Sequence, residues 1–382
     1  MNRAEGPIGY FVHHQGRGHA ERAAAFAHAL PPARRINFFC ARDDIFPPLP
    51  AHAEVIAIPS LFEQGDQPDH AMGSAHTPET LHCAPLGWPS ITLAIATITQ
   101  WFAEHHPALF ITDVSAELAQ LARIASVPHL CVLQHGDRSD AGHMAAYAGA
   151  IGLLAPYADA LEQSDRPAWM IAKTIYAGGI GVDTARLGDR DGARARLGLD
   201  PATELVVVLG GGGGHGLPSV PLTLGARAEP GTQWVTLGKV QSEWHETPPP
   251  NLRHLGWVDN PEDWISAADR IVSSAGNTTV HMVAAAAKPW VVVPEWRYFS
   301  EQLRKAEALE RAGAAAVSAS WPARAEDWRT LWAKAAAIDP DVQRGLSQAN
   351  AARHAAAAVE ALITRIWQPV AETHHANKGC AA

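Results

Sequence analysis

The chain has 382 residues, of which 47% are hydrophobic and 18% charged, enough apolar material for two packed domains. Its formal net charge is −9 and no basic run exceeds a few residues, which argues against the footprint of a nucleic-acid binder. Cys40, Cys83, Cys131 and Cys380 lie far apart and form no CxxC pair, so free thiols in a reducing, cytoplasmic setting are expected. Neither a secretory h-region nor an apolar stretch long enough to span a bilayer is present.

In chain order, apolar runs at residues 8–13, 36–40, 55–58, 109–113, 130–134 and 151–154 predict strands. Helical patterns at 20–30, 91–105 and 116–126 separate them. This alternation is the signature of βα units and a parallel sheet. Residues 64–89 lack periodicity and predict a long loop. A connecting strand at 170–177 and a charged helix at 189–199, broken by Asp200-Pro201, follow. A second set of strands is predicted at 205–209, 234–237, 252–258, 271–273, 290–293 and 315–317. The first domain is expected over 1–178 and the second over 179–368. Ala352, Ala355, Val359, Leu362 and Ile366 recur at helical spacing and predict one long amphipathic helix. The polar tail 369–382 is expected to be disordered.

Three features carry chemistry. Leu209 is followed by five glycines, His215 and Gly216. Glycines permit positive φ and let backbone N–H groups approach an anion, so the run predicts a pyrophosphate cradle or, alternatively, a plain flexible turn. The Lys-Ser/Thr of a P-loop is missing, which argues against an ATPase. Residues His13-His14-Gln15-Gly16-Arg17-Gly18-His19 follow the first strand. They place His19 at a helix start, where an imidazole suits proton abstraction near neutrality or simply caps the helix. Asp113 ends the strand 109–113 and should emerge at the same edge. There it would orient the imidazole or serve as the N-cap of the next helix.

Gly-X-Gly-His19-X-X-Arg22, the glycine loop, His254-Leu-Gly-Trp-Val258, Ser274-Ala-Gly-Asn-Thr-Thr279, the apolar Lys288–Pro294 and Glu301-Gln302 come in that order. Over roughly residues 7–318 this succession resembles the GT-B nucleotide-sugar glycosyltransferases. The similarity is to the branch holding the bacterial lipid-linked N-acetylglucosaminyltransferase and monogalactosyldiacylglycerol synthase, and to the neighbouring UDP-glycosyltransferases. The resemblance implies an α/β fold of two Rossmann-like domains facing across a cleft, with a C-terminal helix crossing back. It implies inverting sugar transfer from a nucleotide diphosphate-sugar, UDP-sugars first, without a metal or other cofactor. His19 would be the base and Asp113 its partner. Gly18, Gly211, Gly212, Gly213, Gly214, His215, Trp257, Val258, Ser274, Gly276, Asn277, Thr278, Glu301 and Gln302 would hold the donor. His13, His14, Gln134 and Arg138, with the loop 64–89, would line the acceptor side. The acceptor itself is not specified. The family's ribose-binding glutamate is replaced by His281, which would join the donor-binding residues because an imidazole can still hydrogen-bond a ribose hydroxyl. Nucleotide-sugar hydrolases and 2-epimerases of the same fold, and a non-catalytic nucleotide-sugar binder, are the alternatives.

Other signals carry less. Asp189-Arg190-Asp191 fits a DxD metal motif but falls in a charged helix. The adjacent pairs His13-His14, His105-His106 and His374-His375 cannot share a helix face. Tryptophans from Trp321 to Trp332 are expected to pack the second domain or its helix against the first.

Overall fold

The computed structural model describes residues 3–64, 70–211, 214, 216–241 and 247–369. The first domain runs β1 (Ile8–Phe11), α1 (Arg17–Ala29), β2 (Ile36–Cys40), β3 (Ala53–Ala57), α2 (Pro89–His105), β4 (Leu109–Asp113) and α3 (Ala116–Ile124). It continues with β5 (His129–Val132), α4 (Ala141–Gly149), β6 (Gly152–Ala155), α5 (Ala168–Ile171) and β7 (Thr174–Tyr176). Its sheet has seven parallel strands in the order β3-β2-β1-β4-β5-β6-β7. Helices cover both faces, so β1, β2 and β4 are buried along their whole length. That explains why they appear as unbroken apolar runs and not as alternating ones.

The second domain runs α6 (Arg190–Leu197), β8 (Glu204–Leu209), β9 (Leu217–Pro218), α7 (Ser219–Ala228), β10 (Thr232–Leu237), β11 (Val240–Gln241), β12 (Leu252–His254) and α8 (Pro261–Ala267). Then come β13 (Arg270–Ser273), α9 (Asn277–Ala286), β14 (Trp290–Val292), α10 (Glu301–Arg311), β15 (Ala316–Val317), α11 (Ala325–Ala336), α12 (Pro340–Arg344) and α13 (Ala351–Ile366). Its six-stranded sheet has the order β12-β10-β8-β13-β14-β15. In both sheets the order reverses beside the first strand, between β1 and β4 and between β8 and β13. The crevice at such a switch point, outside the carboxyl ends of the strands, is where open α/β sheets bind ligands.

The last helix returns to the first domain. Ala355, Val359, Leu362 and Ile363 of α13 are buried in a core shared with Ile8, Phe26 and Phe38, each larger side chain contributing about 2 kcal/mol of apolar burial. Arg34 donates to both carboxylate oxygens of Glu360, at 2.7 and 2.8 Å. Trp234, Trp328 and Trp332 pack together inside the second domain.

Some local expectations change. Residues 170–177 are not one strand: Pro167 precedes the short helix α5, and only Thr174–Tyr176 pairs. Strand β12 stops at His254, ahead of Gly256 at φ 70°. The N-cap of α3 is Ser115, whose Oγ accepts from Leu118 N at 3.2 Å, so Asp113 is free for another task. Asp189 of the DxD triplet caps α6, accepting from Gly192 N at 2.7 Å. The tail from residue 370 lies outside the described residues.

Candidate functional site

At the first switch point, Gly16 (φ 89°) turns the chain from β1 into α1, which has no side-chain cap. His19 stands in the first turn, its side chain 19% exposed. Its Nδ1 lies 3.1 Å from Oδ1 of Asp113, which is fully buried. Arg22, one turn further along α1, donates to Oδ2 of Asp113 from Nε at 3.2 Å and from Nη2 at 2.6 Å. Burial alone would raise the Asp113 carboxyl, but Arg22 and His19 outweigh it and hold it well below the ordinary carboxylate range. Val114, immediately after Asp113, has φ 70°. A β-branched residue there is strained, a condition that clusters at functional sites.

At the second switch point, β8 ends at Leu209 and β13 at Ser273, and α9 begins at Asn277 without a side-chain cap. The first N–H groups of such a helix have no intrahelical partner and carry its positive dipole end. Ser274 Oγ is buried without a partner among the described residues, and a Cβ on Gly211 would stand 3.4 Å from it. Glu295 and Arg297, paired at 2.7 Å, flank Gly211 and Gly214. Gly212, Gly213 and His215 lie outside the described residues. The two switch points face each other: a Cβ on Gly18 would stand 3.4 Å from Thr278 Oγ1. Asn277 donates from Nδ2 to Pro156 O of the first domain at 3.3 Å and accepts from Lys305 Nζ at 2.9 Å. A crevice of about 550 Å³ runs between the domains, lined by Arg17, Glu21, Gly210, Trp257, Val258, Asp259, Thr278, Thr279 and Met282. The Trp257 side chain is largely exposed there.

The remaining predicted residues occupy distinct places. His13 stacks on Phe62 at 4.5 Å and on His14 at 5.4 Å, with the His19 ring 5.5 Å away. Burial, then His19 and His14, push the His13 imidazole down to about 3, so it is neutral at pH 7. Arg138 is buried; it donates to Gln134 Oε1 at 3.0 Å, lies 3.6 Å from Glu301 and sits over the Phe299 ring at 4.4 Å. Phe299 and Ser300 have φ of 60° and 53°, a strained approach to Glu301. Gln302 accepts with Oε1 from Ala275 N at 3.0 Å and Glu295 N at 2.9 Å, which fixes the loop. The domains also meet where Asp137 N donates to Phe299 O at 2.7 Å and Arg304 to Asp137 at 2.6 Å.

The expectation for His281 is corrected. It is fully buried, its Nδ1 3.1 Å from Leu346 O, and it does not reach the crevice to meet a ribose. The α9 residues that line the crevice are Thr278, Thr279 and Met282.

Sequence reasoning assigned no role to Arg22, Lys305, Phe62 or the Glu295–Arg297 pair. Spacing carried a signal for the first two: Arg22 is three residues after His19 and Lys305 three after Gln302, neighbours on a helix face. Burial pushes the Lys305 ammonium down to about 8, with Glu301 opposing the shift. Among the described residues, His82, Asp140 and His143 form one group with metal-ligating atoms. His143 Nδ1 is 2.6 Å from Asp140 and its Nε2 is 3.4 Å from Arg138, so both ring nitrogens are already engaged.

Comparison with known proteins follows the same lines. Residues 232–328 match the glycosyltransferase family 28 C-terminal domain. No curated protein matches. Among solved structures, the glycotransferase of kitacinnamycin is similar with a TM-score of 0.65 and 15% identity, over 94% of this chain and 99% of that one. MurG of Acinetobacter baumannii gives 0.57 and 16%, over 94% and 99%. The UDP-GlcNAc 2-epimerase of Neisseria meningitidis, bound to UDP-GlcNAc, gives 0.57 and 12%, over 94% and 100%. At these identities the likeness concerns the fold.

Proposed function

We propose that this chain, a member of the GT-B glycosyltransferase superfamily, transfers a sugar with inversion from a nucleotide diphosphate-sugar, UDP-sugars first, to an acceptor bound by the first domain. The observation that carries the reading is the His19–Asp113–Arg22 cluster at one switch point, set against the uncapped start of α9 at the other.

The donor's nucleoside lies along the crevice by Trp257 and Val258. Its diphosphate meets the first N–H groups of α9, Ser274 Oγ and the glycine loop. These donors stabilise the charge that grows on the departing diphosphate, with the Lys305 ammonium behind Asn277 adding to the field. Glu301 and the amide nitrogen of Gln302 take the sugar hydroxyls. His19, with its Nδ1 hydrogen on Asp113, removes the acceptor proton through Nε2 as the acceptor attacks the anomeric carbon opposite the leaving group. The sugar–phosphate bond breaks, the sugar–acceptor bond forms, and configuration inverts. The Asp137–Phe299 and Arg304–Asp137 contacts hold the domains closed against water. His13, His14, Gln134 and Arg138 form the acceptor wall. No metal is required in this scheme, because backbone amides and Lys305 supply the counter-charge. Among the described residues no helix is long and apolar enough to cross a membrane, and a reducing cytoplasm suits the free thiols of Cys40, Cys83 and Cys131.

Likeness to a 2-epimerase favours a second reading, in which the same site rearranges or hydrolyses the donor. Incubation with UDP-, dTDP- and GDP-sugars, with and without cell-extract acceptors, separates the two. Sugar incorporated into an acceptor, with little free sugar without one, supports transfer. Rapid stoichiometric free sugar or an epimer in the absence of acceptor overturns it.

A further inference from the structure

We propose that Arg22 is a positioning residue that competes with Asp113 for Nδ1 of His19 and so governs which ring nitrogen is free to take a proton. The inference rests on the reading of His19 as the base. Nδ1 offers one bonding direction in the plane of the ring, yet two groups stand at it. Oδ1 of Asp113 is 3.1 Å away and Nη2 of Arg22 is 2.9 Å away. A carboxylate only accepts and a guanidinium only donates. Each tautomer of His19 therefore satisfies one neighbour and opposes the other. With hydrogen on Nδ1, the ring donates to Asp113 and Nε2 keeps the lone pair a base needs. With Nδ1 bare, the ring accepts from Arg22, Nε2 carries the hydrogen, and the ring cannot abstract a proton.

What decides between them is the ion pair itself. The side chains of Arg22 and Asp113 are 6% and 0% exposed, so solvent cannot relieve either claim. The same Nη2 that approaches the ring also donates to Oδ2 of Asp113 at 2.6 Å, and Nε adds a second bond at 3.2 Å. Both of those bonds go to Oδ2 and leave Oδ1 to accept from the ring, so the hydrogen rests on Nδ1. In a His–Asp pair with no competitor the carboxylate alone fixes the tautomer. Here removing the carboxylate does more than loosen the imidazole: it releases a buried donor that points at Nδ1 and inverts the ring. The loss at Asp113 should then be reversible by a second change at Arg22, which no unopposed pair predicts.

The test is two-bond ¹H–¹⁵N correlation of the histidine-labelled full chain at neutral pH, with turnover measured in parallel. The parent should carry the His19 hydrogen on Nδ1. Asp113→Asn should move it to Nε2 and lower turnover about 10²-fold or more. Asp113→Asn with Arg22→Met, which removes both buried charges together and leaves none unpaired, should return hydrogen to Nδ1 and recover at least about tenfold in rate. Hydrogen that stays on Nδ1 in Asp113→Asn, or on Nε2 in the double variant, overturns the proposal. Should Asp113→Asn not fold, Arg22→Lys keeps a cation for the carboxylate without a planar second arm for the ring. It should leave the hydrogen on Nδ1, and its appearance on Nε2 would overturn the proposal. If His19→Ala leaves turnover intact while the ring hydrogen still moves as described, the base reading fails and the positioning role stands.

Discussion

Lys305→Met should make the protein more stable and slower. Lys305 is 3% exposed, and its one hydrogen-bond acceptor among the described residues is Asn277 Oδ1 at 2.9 Å. Burial lowers its ammonium from 10.5 to about 8, which corresponds to a penalty of about 3 kcal/mol on the charged form at neutral pH. Replacing it by an apolar chain of similar length removes that penalty and forfeits a hydrogen bond of about 1 kcal/mol, a net gain of about 2 kcal/mol. The sign follows from linkage: between the folded and unfolded values the unfolded chain binds more protons, so the parent gains stability as pH rises. The advantage of the variant is therefore full below about pH 8 and gone above 10.5, where the amine is neutral in both states. Urea unfolding followed by tryptophan fluorescence measures it at pH 7 and pH 10; Trp234, Trp290 and Trp328 report on the second domain. A variant less stable than the parent at pH 7, or a difference that does not shrink with pH, refutes the reasoning. Turnover should fall by about tenfold if the ammonium supports the leaving diphosphate. An unchanged kcat removes Lys305 from the chemistry.

Gly136 sits at φ 125°, and an added Cβ would stand 2.7 Å from Phe299 O of the other domain. Gly136→Ala should therefore weaken domain closure by about 1–3 kcal/mol, seen as a raised KM with little change in the urea midpoint. Gly211→Leu should lower UDP affinity by at least about tenfold in calorimetry, because its side chain would fill the space between Ser274 Oγ and Arg297. Asp113 is held below the usual carboxylate range, so its stabilising contribution is present above about pH 4 and lost as pH falls. The acid unfolding of Asp113→Asn should be less steep than the parent's. Excess chelator should leave turnover within about twofold; a loss restored by one divalent ion would instead give His82, Asp140 and His143 a role.

The fold was legible because the buried strands are continuous apolar runs and the chemistry-bearing residues follow them at once. His19 comes eight residues after Phe11, and Asp113 is itself a strand end. Orientation was not legible. His281 matched a family position by spacing, yet a helix turns 100° per residue, and its neighbour Met282 lines the crevice where His281 does not. Gln302 was read as a sugar ligand, and the backbone partners of its carbonyl, Ala275 27 residues away and Glu295 seven away, were not legible. Lys305 and Arg22 were given no role from the sequence. Only tertiary packing buries them, Arg22 against Asp113 and Lys305 against Asn277.

The central claim is that the first domain holds a base and the second holds the donor, and paired measurements on His19→Ala test it most directly. The account predicts that UDP-sugar affinity stays within about threefold of the parent while kcat falls by about 10² or more. A kcat within a few fold of the parent, or a donor affinity lost together with turnover, would contradict it.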